Sequence, residues 1–344
     1  GVKDVQDSID LYFAVGSEQC YECVNVQQSS KTMWARNCAA CVDCVFVENC
    51  SGCTSCFGCV NLRNGSYQFF NEQLSKEEYE SRVATIMGSY EKMEEAKQRF
   101  AKHRLQFPMR ATNNIKAENS SGDYLFETNN VHESFEVTRG EDCKYLFSAK
   151  EIKDSYGVTG YGFNCEMILE CMATGYSTRC IGSYGLENCQ NVLYSFDCKN
   201  CQDCIGCDGL KNKQYCILNK QYSQEEYTVL KEKIINELRE KGDYGLCPPP
   251  DIAPFAYNES VAHDNFPCSK EQALDQGFRW QDEVQETRGK ETMQPDDIPD
   301  HIDDVDNSIT GEILKCVDTG RNYKITAQEL LFYRKMKLPI PRTS

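Results

Sequence analysis

A run of four cysteines at strict three-residue spacing occurs twice in this chain of 344 residues. The first copy occupies residues 50–59, and the second copy, at residues 198–207, lies 148 residues further along. Between residues 50–79 and residues 198–227, 14 of 30 positions are identical. An internal repeat of this length predicts that two parts of the chain share one architecture.

The three-residue period of the cysteines fits neither regular secondary structure. A strand alternates its faces every second residue, and a helix distributes a period of three around its surface. Nine of the 22 cysteines follow Asn or Asp and three follow Gly, residues that tolerate left-handed backbone at turns. The pattern therefore predicts short extended pieces joined by corners, each corner followed by an inward cysteine, as in a β-solenoid.

We therefore predict a mainly β fold. The expected architecture is a parallel β-solenoid, a right-handed β-helix, in two halves with helical insertions and a small α+β C-terminal tail. Capping boxes begin at Ser75 and Ser223 and predict helices there. The predicted organisation is a first cysteine-rich solenoid half at 1–74, a helical insertion at 75–111, a second solenoid half at 112–222, a capping helix at 223–246, and a linker, acidic strap and degenerate zinc-ribbon-like tail at 247–344.

The C-terminal hundred residues differ in character from the rest. Pro248 to Pro250 predict an extended linker. Residues 282–306 then carry ten acidic residues against two basic ones, half of the chain's net charge of −16. We expect this stretch to be a strap that becomes ordered on docking, or a disordered linker.

Charge and hydropathy narrow the range of partners. A net charge of −16 and a pI near 4.8 argue against a broad nucleic-acid surface, which needs a basic face. No run of about 18 apolar residues is present, so we expect no membrane span. No secretory signal is visible, and the cytoplasm is favoured as the compartment, although the location stays open.

The eight cysteines of the two runs are the candidate metal ligands, because Cys-x2-Cys is the usual spacing of zinc knuckles. Three cysteines at this spacing also open a ferredoxin motif, but that motif continues with x3-Cys-Pro. The thiols could instead fill a narrow core in reduced form, or form disulfides. The candidate zinc ligands are Cys50, Cys53, Cys56, Cys59, Cys198, Cys201, Cys204 and Cys207.

No residue pattern predicts a catalytic or cofactor-binding site. The four histidines are scattered and form no recognisable triad or metal motif. Asp123, Glu127, Glu133 and Glu136 could gather in one groove, as carboxylates do in solenoid enzymes that cleave polysaccharides. Sequence alone gives no sign that these four side chains converge.

The repeated run, followed in both copies by Leu, Asn and a closing Glu-Glu-Tyr, resembles the hallmark of a bacterial protein family, as do Pro254-Phe-Ala-Tyr-Asn258 and Phe332-Tyr-Arg-Lys-Met336. This is an uncharacterised family of cysteine-rich repeat proteins, flanked by zinc ribbons, from small-celled uncultured bacteria. The resemblance implies that this chain shares the family's fold and has a zinc ribbon at its C-terminal end. It implies nothing about activity, because no activity is assigned to the family. Here the ribbon would begin at Cys316, but Thr319 stands in place of its second cysteine.

These observations predict a non-enzymatic structural or binding scaffold with a cysteine-lined core, and zinc is the one candidate for a stabilising cofactor. Exposed edges at the ends of a solenoid would engage a protein partner or a second copy of the chain. The alternatives are an iron–sulfur electron carrier and a carbohydrate-active β-helix enzyme.

Overall fold

The computed structural model describes residues 1–284 and 287–344, which form two compact units. Unit 1 consists of Gly1–Met109 with Gln285–Ser344, and unit 2 consists of Arg110–Val284. Strands account for 38% of the residues and helices for 23%, so the prediction of a mainly β fold is confirmed. Each unit contains one sheet of many parallel strands.

The sheet of unit 1 has eight strands in chain order, all parallel except the last. Partners on adjacent strands are twelve residues apart, as in Ile9 with Tyr21 and Val45 with Phe57. We call each such twelve-residue step a rung, and each line of residues stacked across successive rungs a column. The strands are β1 Val2–Lys3, β2 Ile9–Val15, β3 Tyr21–Gln27, β4 Ser30–Ala39, β5 Val42–Glu48, β6 Thr54–Phe57, β7 Ser66–Phe69 and β8 Glu72–Gln73.

The sheet of unit 2 has ten strands and the same register, with two exceptions. Ile115 pairs with Phe126, a step of eleven, so the first rung is one residue short. Ile152 pairs with Cys165, a step of thirteen, so one later rung carries an extra residue. The last strand again turns back antiparallel. The strands are β9 Ile115–Glu118, β10 Gly122–His132, β11 Ser134–Lys153, β12 Tyr156–Tyr161, β13 Cys165–Thr174, β14 Thr178–Ile181, β15 Gln190–Leu193, β16 Gln202–Ile205, β17 Gln214–Ile217 and β18 Lys220–Gln221.

Every third residue of both sheets has left-handed backbone. In unit 1 this holds from Asp4 to Phe70, and in unit 2 from Tyr124 to Gly160 and again from Asn164 to Leu218. All nineteen cysteines between residues 20 and 216 are buried, and each directly follows such a residue. The predicted pattern of a corner followed by a buried cysteine is therefore confirmed.

Helices follow the last strand of each sheet where the capping boxes predict them. The Ser75 hydroxyl accepts a hydrogen bond from the Glu78 amide at the start of α1 (Lys76–Ala84), which α2 (Tyr90–Arg104) follows. Ser223 caps α3 (Gln224–Lys241) in the same way, and left-handed Gly242 ends that helix. The side chain of Tyr227 in α3 packs on Ile205 and Ile217 of the sheet of unit 2.

The acidic segment is ordered over residues 287–306, whereas residues 285 and 286 of the predicted strap lie outside the described residues. Ile298, Ile302 and Val305 are buried in the core of unit 1. The Asp300 carboxylate accepts hydrogen bonds from the Ser89 hydroxyl (2.6 Å) and the Glu91 amide at the start of α2. A carboxylate at a helix N-terminus is electrostatically favourable. Asp300 therefore helps to hold the acidic segment against the start of α2.

The remaining elements are short. Helices α4 (Val261–Asn265) and α5 (Lys270–Asp275) belong to unit 2. In unit 1, strands β19 (Leu314–Lys315) and β20 (Asn322–Tyr323) form an antiparallel pair, and α6 (Ala327–Met336) follows. Buried side chains of α6 share one hydrophobic cluster with the column of Tyr21, Met33, Val45, Phe57 and Phe69, so this segment covers one face of the sheet.

Gly58 shows the cost of a side chain at a corner. Its φ is +69°, and an added Cβ would lie 2.8 Å from the ring of Phe70, one rung further on. Gly16 is the matched control, since it is also left-handed (φ +59°) and a Cβ there meets only ordinary contact at 3.8 Å. We expect Gly16→Ala to cost about 1–2 kcal/mol of unfolding free energy, and Gly58→Ala about 1–3 kcal/mol more, by urea denaturation. Equal costs would contradict the close contact between these rungs.

Candidate metal site

Each predicted four-cysteine run makes one rung, with its four side chains buried. Cys50, Cys53, Cys56 and Cys59 are at most 1% exposed, and the four cysteines of the second run are at most 2% exposed. All 22 cysteines are free thiols in this structure. The structure therefore places the four predicted ligands of each run in neighbouring columns of one rung.

The thiols of both runs donate to main-chain carbonyls. The Sγ atom of Cys50 lies 3.4 Å from the Glu48 oxygen, two residues before it, and 3.6 Å from the Cys59 oxygen, nine residues after it. Cys198 in the second run contacts the oxygens of Phe196 (3.2 Å) and Cys207 (3.8 Å) in the same geometry. A thiol is a weak donor, but it leaves fewer buried carbonyl lone pairs without a partner than an alkyl side chain would.

Serine occupies the same columns and has the same role. The Ser29 hydroxyl donates to the Gln27 oxygen at 2.9 Å and accepts from the Cys41 amide at 3.2 Å, one rung later. Ser195 does the same toward Leu193 and Cys207. The buried columns thus select short side chains that can donate and accept hydrogen bonds.

In unit 1, the thiols of two successive rungs also influence one another's pKa values. Within a rung this influence links Cys50, Cys53 and Cys56 in sequence, and across rungs it links Cys41 with Cys53. Hydrogen bonds from three neighbouring thiols lower the pKa of Cys53, so that this thiol ionises before those that donate to it. The connected thiols are Cys38, Cys41, Cys44, Cys50, Cys53, Cys56 and Cys59.

The second run has a different environment, although its spacing is identical. Its thiol contacts involve Cys204 with Cys207 and with Cys216, one rung later. The hydrogen bond with Cys204 lowers the pKa of Cys207 to about 6. The preceding rung supplies Leu186, Cys189, Val192 and Ser195 in the four columns, where unit 1 supplies three cysteines and a valine.

A zinc ion would bind these sulfurs as thiolates. Here the sulfur–carbonyl distances of Cys50 and Cys198 are those of protonated thiols, whereas the lowered pKa values of Cys53 and Cys207 favour their thiolates. Across residues 1–284 and 287–344, no group of three or more Cys, His, Asp or Glu side chains is arranged to hold a metal ion. The observed arrangement suits protonated sulfur, and zinc at the eight cysteines stays a prediction.

The C-terminal segment, which the resemblance predicts to be a degenerate zinc ribbon, contains Cys316 in a tight turn. The Gly320 amide donates to the Cys316 oxygen (3.0 Å), and the Ser344 amide approaches its Sγ atom (3.4 Å). Burial acts to raise the pKa of the Cys316 thiol, but hydrogen bonds from Thr319 and Ser344 outweigh it and lower the pKa to about 7. The hydroxyl of Thr319, at the position of the missing second cysteine, thus supports the sulfur that remains.

The four carboxylates considered for a carbohydrate-active enzyme occupy four different columns of unit 2. Asp123 accepts hydrogen bonds from Asn113, whereas Glu127 pairs with Lys116 and Glu133 pairs with Lys144, both at 2.9 Å. A cavity of about 410 Å³ lies elsewhere, between α3 and the sheet of unit 2, and its lining includes Tyr156, Leu169 and Arg179. These contacts give the carboxylates roles in holding adjacent rungs together.

Comparison with known proteins adds little. No protein-family model matches this chain, and no curated protein does. A search of solved structures finds similarity to a protein of Desulfovibrio desulfuricans G20 that is provisionally described as an acetyltransferase, with 10% identity, 67% of each chain covered and a TM-score of 0.13. A likeness at this level carries no argument about fold or activity, and the family resemblance stays a prediction.

The buried thiols should make stability fall at alkaline pH. Burial raises the pKa of Cys171 to about 12, whereas an unfolded thiol ionises near about 8.5. Its contribution is therefore complete below pH 8.5 and is lost as the pH rises toward 12, because the unfolded chain releases the proton first. We expect the unfolding free energy, from urea titrations at pH 7 to 11, to fall above pH 9 by about 1.4 kcal/mol per pH unit for this thiol.

Two variants isolate that contribution. Cys171→Ala removes the titrating group and should reduce the alkaline slope by about this amount. Val158→Ala, in the same column one rung earlier, also removes buried volume but no thiol, and should lower stability equally at every pH. An unchanged slope in Cys171→Ala would show that this thiol is not buried as described.

Proposed function

We propose that this chain is a non-enzymatic scaffold built as a parallel β-solenoid in two parts, with a core lined by cysteine thiols. The observation that carries the proposal is the twelve-residue register, broken by one step of eleven and one of thirteen, combined with a left-handed residue at every third position. Four three-residue sides of this kind would return the chain to its starting column after one rung. A right-handed turn is the expected hand, because parallel crossover connections are almost always right-handed.

The cysteines suit such a core because its interior is narrow. A rung with four inward residues has room for small side chains, and a thiol behaves as a small hydrophobe with a weak donor. The hydrogen bonds of Cys50 and Cys198 to carbonyls within their own rungs support this role. The thiols would thus act as structural components of the core, without a chemical role.

Zinc is a second state open to the same eight cysteines. Four thiolates can bind one zinc ion, and a structural zinc site contributes directly to folding. The sulfurs would first have to release the protons that they now donate to main-chain oxygens. We therefore propose that the thiols are protonated in the native protein. The zinc-bound form is the alternative that the experiment must exclude.

A scaffold of this type offers its sheet ends and faces to partners. Strands β1 and β9 end their sheets on one side, whereas β8 and β18 turn back and lead into helices α1 and α3 on the other. Uncovered strand edges are sites for association with another chain. The net charge of −16 disfavours nucleic acid as the partner, which leaves another protein or a second copy of the chain. In the part of the chain that the structure describes, no helix is both long and apolar enough to cross a membrane.

Thiol titration with metal analysis tests the proposal. In the folded chain we expect a chromogenic thiol reagent to modify Cys247, which is exposed, and more slowly the half-buried Cys268. After denaturation all 22 cysteines should react, and zinc and iron should be at trace level. Cys247→Ser is the control, because it should abolish the fast phase alone.

Two results would contradict protonated thiols in the core. One or two zinc ions per chain that survive purification, with release on acidification, would assign the cysteines to metal. Brown colour with iron and labile sulfide would instead support the iron–sulfur carrier.

A further inference from the structure

Unit 2 carries a line of large exposed side chains along one column of its sheet. Phe147 pairs with Thr159, Thr159 with Met172, and two further bridges continue the column. Phe135 precedes Phe147 by one rung of twelve residues. We call this column the aromatic stripe, and it consists of Phe135, Phe147, Thr159, Met172, Tyr184 and Phe196.

The exposure of the aromatic stripe is too large and too regular to be scattered surface hydrophobicity. Its five large members are between 37% and 51% exposed. Because a Phe, Tyr or Met side chain presents about 150–250 Å², the stripe leaves on the order of 400 Å² of mostly apolar surface in water. An apolar patch of this size is as large as the largest one on a typical monomer, and such patches often have a binding function.

The internal repeat shows that the fold itself does not require these residues. At the equivalent column of unit 1, Arg36 and Glu48 stand where unit 2 has Tyr184 and Phe196. Glu48 is 5% exposed and forms an ion pair of 2.7 Å with Arg104 of α2. At these two rungs the column is thus charged in unit 1 and aromatic in unit 2, whereas Tyr12, further along the column of unit 1, is 44% exposed.

The columns on either side of the stripe carry carboxylates. The adjoining column on one side contains Gly160, Ala173 and Gly185, and the Asp197 side chain lies over Gly185. On the other side the Glu170 side chain lies over Gly157 and accepts a hydrogen bond from the Cys247 thiol (3.5 Å). The stripe therefore has a low flank with small residues on one side and hydrogen-bond acceptors on both.

The width of the stripe selects a linear ligand. It is one side chain wide and about 24 Å long, at about 4.8 Å per rung. A stable dimer buries about 800 Å² on each partner, which is twice this surface, and two chains with a charge of −16 repel one another. An added peptide strand gains affinity by pairing with a free sheet edge, but the backbone below the stripe is already paired within the sheet.

We propose that the aromatic stripe binds a neutral, extended, β-linked polysaccharide chain. Pyranose rings present an apolar C–H face that packs on aromatic rings, and their hydroxyls at the rim can donate to Asp197 and Glu170. An extended β-1,4-linked chain advances per sugar by nearly the distance between rungs. The acidic charge of the protein disfavours anionic polymers, so the ligand is an uncharged glycan.

This inference names a ligand class for the scaffold proposed above and rests on that proposal only for its biological context. The stripe depends on the parallel register, whereas the scaffold proposal is tested on buried thiols. Failure of glycan binding would leave the thiol titration and metal content unchanged, so the two outcomes can be distinguished.

The test is affinity electrophoresis of the full chain in native gels that contain hydroxyethylcellulose, unsubstituted xylan or, as an anionic comparison, polygalacturonate. Titration calorimetry with cellohexaose and xylohexaose then gives dissociation constants. We expect retardation by at least one neutral glycan and none by polygalacturonate. The double variant Phe147→Ala with Tyr184→Ala should weaken binding at least tenfold.

Phe266→Ala is the matched control, because Phe266 is 73% exposed in unit 2 but lies outside the stripe. Its binding should equal that of the unchanged chain, and circular dichroism should show all variants folded. Absence of retardation by every neutral glycan, or equal retardation of the double variant, would overturn the proposal. So would self-association in sedimentation velocity that the double variant abolishes, which would assign the stripe to a second copy.

Discussion

The backbone conformation at every third residue is the constraint on which the rest of this structure depends. A left-handed residue redirects the chain, and wherever a cysteine between residues 20 and 216 follows it, that cysteine is buried. Asn, Asp and Gly adopt this conformation at little cost, but Trp34, Phe46 and Arg179 adopt it too. For these bulky residues the cost, on the order of 1 kcal/mol each, is offset by main-chain hydrogen bonds to the next rung and by burial of the side chain that follows.

Cysteine meets two demands of the columns at once. The side chain must be small enough to stack at the spacing of adjacent strands, and it must give buried carbonyl oxygens a donor. Serine meets the second demand more strongly, as Ser29 and Ser195 show, but it contributes less to a hydrophobic core. The two runs have identical spacing, but their thiols have different neighbours because the adjacent rungs differ. Cys53 is surrounded by other thiols, whereas Cys201 lies next to Cys189 and Leu210.

Much of the architecture is readable from particular residues. Asn49 before Cys50 and Gly58 before Cys59 reveal the corners, and the capping boxes at Ser75 and Ser223 locate two helices. The stacking of rungs every twelve residues is harder to predict from the sequence. Val47 interrupts the cysteine run, and the extra residue between Ile152 and Cys165 places Met172 one position away from the spacing set by Phe147. That shift is why the aromatic stripe is invisible in the sequence, and the acidic composition of residues 287–306 likewise hides the buried Ile298 and Ile302.

The thirteen-residue rung also indicates how chains of this kind can change their length. After the extra residue between Ile152 and Cys165, pairing resumes in the same columns, so the irregularity stays local. Because the strands of each rung are hydrogen-bonded only to those of its immediate neighbours, tandem duplication or loss of a whole rung would leave the strand pairing of all other rungs intact. Evolution can therefore lengthen or shorten an exposed column such as the aromatic stripe in steps of one rung. The end strands of the sheet and the helices that follow them would be kept.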